Sequence, residues 1–314
     1  MSIDLKAALK NKAINKWRLY WLVAIPMSIA MIIAMMGADL TTGPGVSAMI
    51  QFSVRFAVPF IFLVVAISSL QILFPGPIPA WLLRNRPYIG MCFATAMAWQ
   101  GMFIFIMSNI YREYYFSDVY LLRDEVEGTI GYIFLAAMVV TSFDFGRKHF
   151  NFKQWKLIHK SAIYFLWAYP MAVYWWNLFY YKNPLPIDYV FYWIGFLAFV
   201  LRIAAWGKQR QHLAKRIVPE RSTLLAFKIL GGAIIVFGIF VAASGLYWID
   251  PVSAFVTAPK WSADLVLWLP FWPLRPYYSL FIIGLGAMLF TRMPEPTMSP
   301  TIAPGNLESA GTKG

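Results

Sequence analysis

"GYIFLAAMVVTSFDFGRKHFNFKQWKLIHKSAIY", residues 131–164, holds two apolar runs with a basic connector between them. The chain is almost wholly apolar up to Thr141, then meets Arg147, Lys148, Lys153, Lys156 and Lys160. After His159 it turns apolar and aromatic again as far as Trp175. Two apolar runs around a short cationic connector are the pattern of a helical hairpin that crosses a bilayer, with the connector on the cytoplasmic side. That hairpin sets the reading of the rest of the chain.

The composition agrees with it. The 314 residues are 60% hydrophobic, 18% aromatic and 13% charged, whereas soluble domains carry about 25% charged residues. Runs long enough for the roughly 20 residues of a membrane helix predict eight spans, near 17–37, 47–74, 88–110, 128–143, 156–178, 187–206, 223–249 and 265–291. The eighth begins with Pro270, Pro273, Arg275 and Pro276, which places its true crossing from about Tyr277. The expected fold is an all-α polytopic membrane helix bundle of about eight transmembrane helices. A basic N-terminus (1–16) precedes a six-helix core (17–206). A basic loop (207–222), two further helices (223–292) and a tail from 293 follow. The tail is rich in Pro, Ser, Thr and Gly and is expected to be disordered.

Charge orients the bundle. With both termini on one side, that side receives 21 of the 27 Lys and Arg residues, so both termini are expected in the cytoplasm. The expected location is a bacterial inner membrane. The net charge of +13 is spread over short loops. Its natural partner is the anionic bilayer surface, and no basic soluble domain offers a site for nucleic acid. The loop from Tyr111 to Glu127 carries Glu113, Asp118, Asp124, Glu125 and Glu127. It reads as a solvated connector or as a docking face for an extracytoplasmic protein partner. One cysteine, Cys92, excludes an internal disulfide and any multi-thiolate metal centre.

Three features resemble the ferric reductase-like transmembrane family, and within it the haem-binding membrane subunits of bacterial methionine-sulfoxide reductase systems. One is "LLRNRPYIGMCFATAMAWQGMFIF", residues 82–105, with its basic pair and Gly90 opening the third span. Another is the 131–164 stretch, with "TS", a basic loop, a tryptophan and "LIH" before an aromatic run. The third is the order of spans over about 45–206. The resemblance implies a membrane electron-transfer subunit that takes electrons from quinol or flavin to an extracytoplasmic acceptor through haem b. It also implies three ligand positions, and these fall on Gln100, on His159, and on Ala172 or its neighbour Val173. Only His159 can bind haem iron as a histidine.

The histidine count bears on this independently. The chain has His149, His159 and His212, and two bis-histidine haems need four. One haem would need a loop histidine, His149 or His212, to fold back towards His159, or a mixed set with Met91, Met97 or Cys92. The expectation is therefore a haem-depleted structural, assembly or ligand-binding subunit of a membrane complex. The alternative is an electron-transfer subunit with a single unusually ligated haem. Candidate cofactor-binding residues are His159, Gln100 and Arg55, with His159 as the candidate iron ligand and no catalytic residue. Gln100 is expected to face His159 inside the bundle. Arg55, with Gln51 one turn away, is expected to support folding or to hold an acidic or carbonyl group of a ligand, a quinone among them.

The aromatic run "WAYPMAVYWWNLFYY", residues 167–181, reads as an interfacial belt or as a stacking surface. Gly231, Gly238 and Gly245 recur every seven residues and predict a close helix approach, either to the eighth span or to a partner. No dinucleotide-binding turn, HExxH or nucleophile elbow appears. No Asp or Glu lies deep in a span, which argues against an ion-coupled transporter.

Overall fold

The computed structural model describes residues 5–181, 183–217, 225–245, 247 and 272–292. All regular elements among them are helical. The longer helices are α1 (Trp17–Gly37), α2 (Gly43–Leu73), α3 (Pro77–Ile110), α4 (Leu122–Thr141), α5 (Phe152–Phe179), α6 (Pro186–Ile217), α7 (Leu225–Ser244) and α8 (Tyr278–Phe290). Among the described residues α1, α2, α3, α6 and α7 are long and apolar enough to cross a membrane. The chain is a helical, membrane-embedded protein.

Several boundaries differ from the expected ones. α3 starts at Pro77, a full eleven positions before the expected 88, because Pro79 and Pro87 fit near or within a helix that projects past the apolar layer. α6 continues to Ile217, so 207–217 is helix and not loop. The expected 293–314 tail lies outside the described residues. α8 begins at Tyr278, one residue from the crossing point that the prolines indicated, and a 3₁₀ turn over Trp272–Tyr277 leads into it.

α2 is the hub. Val58, Ile61, Phe62, Val65 and Ile67 are buried on it, and it packs on α3, α5 and α6. A side chain at Gly195 would collide with the Phe62 ring, its Cβ lying 2.6 Å from Phe62 Cζ. Polar tips in this core find backbone carbonyls of neighbouring helices. Trp167 Nε1 donates to Gly195 O at 2.9 Å, Tyr192 OH to Ala242 O at 2.8 Å and Tyr277 OH to Ala168 O at 2.7 Å. Such buried aromatics contribute their large apolar area without an unpaired polar atom. The 167–181 run is thus only partly a belt: Trp167, Tyr174 and Trp175 are core, and Tyr180 and Tyr181 are exposed.

The glycine stripe of α7 packs on α8. Gly231 and Gly238 lie against Gly286, Ile283 and Ser279, close enough that backbone meets backbone. Gly245, at φ +62°, sits against the Phe179 ring, so both its conformation and its space require glycine.

Helix ends of one side of the bundle are tied together. Lys208 of α6 donates to Ile72 O at 2.7 Å and to Leu73 O at 3.3 Å, capping α2. Arg210 donates to Met288 O at 3.2 Å near the end of α8. Cations at helix C-termini satisfy orphan carbonyls and oppose the helix dipole. Arg202 joins three helices through Ser68 Oγ (2.6 Å) and Tyr164 OH (2.7 Å). At α3, Asn85 is fully buried: its Oδ1 accepts the Lys16 N–H at 2.8 Å, and its Nδ2 donates to Asn15 Oδ1 and Trp81 O at 3.0 Å each. Trp81 Nε1 donates to Ile14 O at 3.1 Å. Lys16 is thereby held at φ +58°, the single non-glycine residue with positive φ among those described.

The expected 111–127 loop is shorter than that: Arg112–Tyr114 and Tyr115–Val119 form short helical turns, and Asp124, Glu125 and Glu127 belong to the start of α4. Tyr111 OH donates to Leu40 O at 2.5 Å, and Tyr115 OH bonds the Glu125 carboxylate. Burial, and then that carboxylate, push the Tyr115 phenol above its ordinary value.

Candidate functional site

α4 and α5 meet at a hinge built from their sequence. Asn151 caps α5 by accepting the Gln154 N–H at 2.9 Å, while the Gln154 side chain accepts the Asn151 N–H at 3.0 Å, a reciprocal capping box. Gly146 in the connector lies against the Val140 carbonyl, where any side chain would collide. One turn into α5, Trp155 Nε1 donates to Thr141 O at 3.1 Å. His159 follows one turn later, its ring 4.5 Å from that of Trp155, and the Arg147 guanidinium lies 4.5 Å from the Trp155 ring centroid. The three side chains form an Arg–Trp–His stack at the connector end of the hairpin.

A cavity of about 340 Å³ opens beside this stack. α2 supplies Ile61 and Val64; α3 supplies Arg86, Pro87, Gly90, Met91 and Phe93. α4 adds Leu135, Met138, Val139 and Thr141, and α5 adds Trp155, His159, Ile163 and Leu166. Ser142 and Arg147 close the basic end. A second, smaller cavity of about 70 Å³ shares Ile61, Phe93 and Leu166 with it and extends to Glu127, Tyr132, Tyr169 and Pro170.

The state of His159 follows from its partner. The Thr141 hydroxyl donates to Ala137 O at 2.6 Å, which uses its one proton. Its oxygen lies 2.9 Å from His159 Nε2 and therefore accepts, so Nε2 carries the hydrogen. With Nε2 donating, Nε2 has no lone pair for a metal and only Nδ1 keeps one. No second histidine lines the cavity, and the residues present do not fit a bis-histidine haem. Among the described residues no three His, Cys, Asp or Glu side chains gather as a metal site. His149 and His212 are exposed.

The other predicted site residues lie elsewhere. Gln100 is on α3, about 14 Å along the axis from Met91 at the helical rise, and lines neither cavity. Its Oε1 lies 3.3 Å from Tyr132 OH, which shares its one proton with the nearer Met97 O at 3.1 Å, so its polar neighbour is Tyr132 and not His159. Arg55 and Gln51 are both exposed on α2 and line neither cavity. The long arginine side chain can lead its charge to the bilayer surface from there. Arg55→Leu is accordingly expected to leave thermal stability in detergent within about 0.5 kcal/mol of the parent; a large drop in melting temperature would contradict this placement. Cys92 is buried and lines neither cavity, whereas Met91 and Met97 line the first and second respectively.

Sequence reasoning counted Arg86 and Arg147 only as orienting charges, and Thr141 and Trp155 only as pattern. The signal that could have found them is their spacing around His159: Trp155 is one helical turn before it, and Thr141 closes the facing helix. Comparison with family models, with curated proteins and with solved structures returns no match.

Proposed function

We propose that the chain is an eight-pass protein of the bacterial inner membrane, with both termini cytoplasmic. It keeps a ferric reductase-like core over about 45–206 and serves as a haem-free, ligand-binding subunit of a membrane complex. The observation that carries the haem-free reading is the relay from His159 Nε2–H to Thr141 Oγ1 and on to Ala137 O. It commits Nε2 of the one candidate ligand of the core to hydrogen bonding, and among the described residues no second histidine lines the cavity to complete a pair. The cavity beside it remains large enough to hold a small molecule, since ligand pockets start at about 300 Å³.

Support for eight passes comes from the tethers at the inner end. Lys208 on the late part of α6 reaches the end of α2, Arg210 reaches the end of α8, and Asn85 near the start of α3 holds the segment before α1. These pairings put the starts of α1 and α3 and the ends of α2, α6 and α8 on one side, as an eight-pass arrangement asks. Cysteine introduced at position 120 should label only from outside the cell, and at position 305 only from the cytoplasm. The reverse pattern at either position removes the topology.

The haem-free reading is tested by the absorption spectrum of the protein purified in detergent. No Soret band is expected. A stoichiometric Soret band with redox-sensitive visible bands would restore the electron-transfer reading, with His159 and Met91 as the ligand pair to mutate first.

A further inference from the structure

The basic end of the larger cavity has no counter-charge. Arg86 is half-buried there, Arg147 is spread over the Trp155 ring, and Arg202 is near enough to act on Arg86 electrostatically. No Asp or Glu lines this cavity among the described residues. Arg202 spends its hydrogen bonds on the neutral Ser68 and Tyr164. A half-buried cation such as Arg86 gains from an anion beside it, and the exposed Arg147 at the cavity mouth can join in holding one. Away from the arginines the wall is hydrocarbon: Ile61, Leu135, Ile163 and Leu166 lead inward towards the second cavity. One end is built for an anion and the rest for an alkyl chain.

We propose that this cavity holds an acidic phospholipid of the surrounding membrane, with its phosphate at the Arg86–Arg147 end and an acyl chain between α2, α4 and α5. Arginine forks suit phosphate oxygens, which accept two N–H groups from one guanidinium. The Nε2–H of His159 is already engaged by Thr141, so the histidine shapes the wall and does not bind the phosphate. The proposal rests on the haem-free reading, because a haem in this space would displace the chain.

The test uses the full chain in detergent, depleted of lipid, with melting followed by intrinsic fluorescence. Phosphatidylglycerol should raise the melting temperature; phosphatidylcholine at equal mole fraction should do so much less, and inorganic phosphate not at all. Arg86→Gln and Arg147→Gln should each weaken phosphatidylglycerol binding about tenfold, as expected for losing one charged hydrogen bond, with Arg86→Lys retaining part of it. Ile163→Trp should fill the chain-binding end and abolish the response while the lipid-free protein still melts cooperatively. Equal response to both lipids, full response to phosphate, or an undiminished response in Ile163→Trp would overturn the proposal. If Arg86→Gln does not fold, the exposed Arg147→Gln decides the arginine arm. Absorbance of the same samples reports haem separately, so a Soret band marks failure of the haem-free reading, and a lipid response without selectivity marks failure of this one.

Discussion

Gly231→Leu should separate α7 from α8 and lower stability by about 3 kcal/mol, the upper end of the usual cost of overpacking. A Cβ at Gly231 would lie 2.5 Å from Phe290 N and 2.6 Å from Gly286 O. Both obstacles are backbone, so no rotamer change relieves them. The contact is mutual, since a Cβ at Gly286 would lie 2.8 Å from Gly231 O. In lipid the helices gain nothing from hiding apolar surface, so close van der Waals approach is the force that holds the pair, and it is the force that the leucine removes. Gly232 is the control: a Cβ there meets nothing within 4 Å, and Gly232→Leu should melt with the parent. If Gly231→Leu and Gly232→Leu behave alike in detergent melting, the α7–α8 packing described here is wrong.

Asn85→Leu should have an effect of similar size through a different cause. The substitution keeps the volume but removes three hydrogen bonds at a fully buried position. It leaves the Lys16 N–H without its acceptor, and an unsatisfied buried group costs about 1–3 kcal/mol. With that bond gone, the unfavourable φ of Lys16 loses an offset, and the segment before α1 should loosen from α3 although Trp81 still donates to Ile14 O and Arg84 to Leu9 O and Asn15 Oδ1. Trypsin should then cut at Lys10, Lys12 and Lys16 at least about tenfold faster, a ratio that corresponds to 1.4 kcal/mol of local opening. Cleavage at the parental rate would show that Trp81 and Arg84 hold the segment without Asn85.

What the sequence revealed follows the thickness of hydrocarbon. α1 was legible to the residue, because its apolar run is bounded by Lys16 on one side and Ala38–Asp39 on the other. The starts of α3 and the end of α6 were not, since Arg84, Asn85 and Arg86, or Lys208 to Arg210, read as loop when hydropathy is the only guide. Helical hydrogen bonding does not stop where the apolar layer does. The stripe Gly231–Gly238–Gly245 was visible as a period, but only the fold supplies its partner α8. For the site, His159 was picked out as the one histidine expected in a span, and the structure places it on the cavity wall, whereas its pairing with Gln100 failed on depth. The resemblance placed the two on facing helices, and the structure puts them at different levels of the bundle, each with another partner. Asn85 gave no signal because its partners Asn15 and Lys16 are 70 and 69 residues away.

The lysine and arginine on the late part of α6 have a consequence for biogenesis. In the topology proposed above, Lys208 and Arg210 belong to the charge asymmetry that would direct insertion, and in the folded bundle they close the ends of α2 and α8. A helix threaded the wrong way would strand these cations on the far side of the membrane and leave the carbonyls of Ile72, Leu73 and Met288 uncapped. The same side chains therefore act twice, first as an address and later as a lock that only a correctly addressed chain can close. Mis-inserted copies would lack the lock altogether, which gives membrane quality control a structural difference to act on.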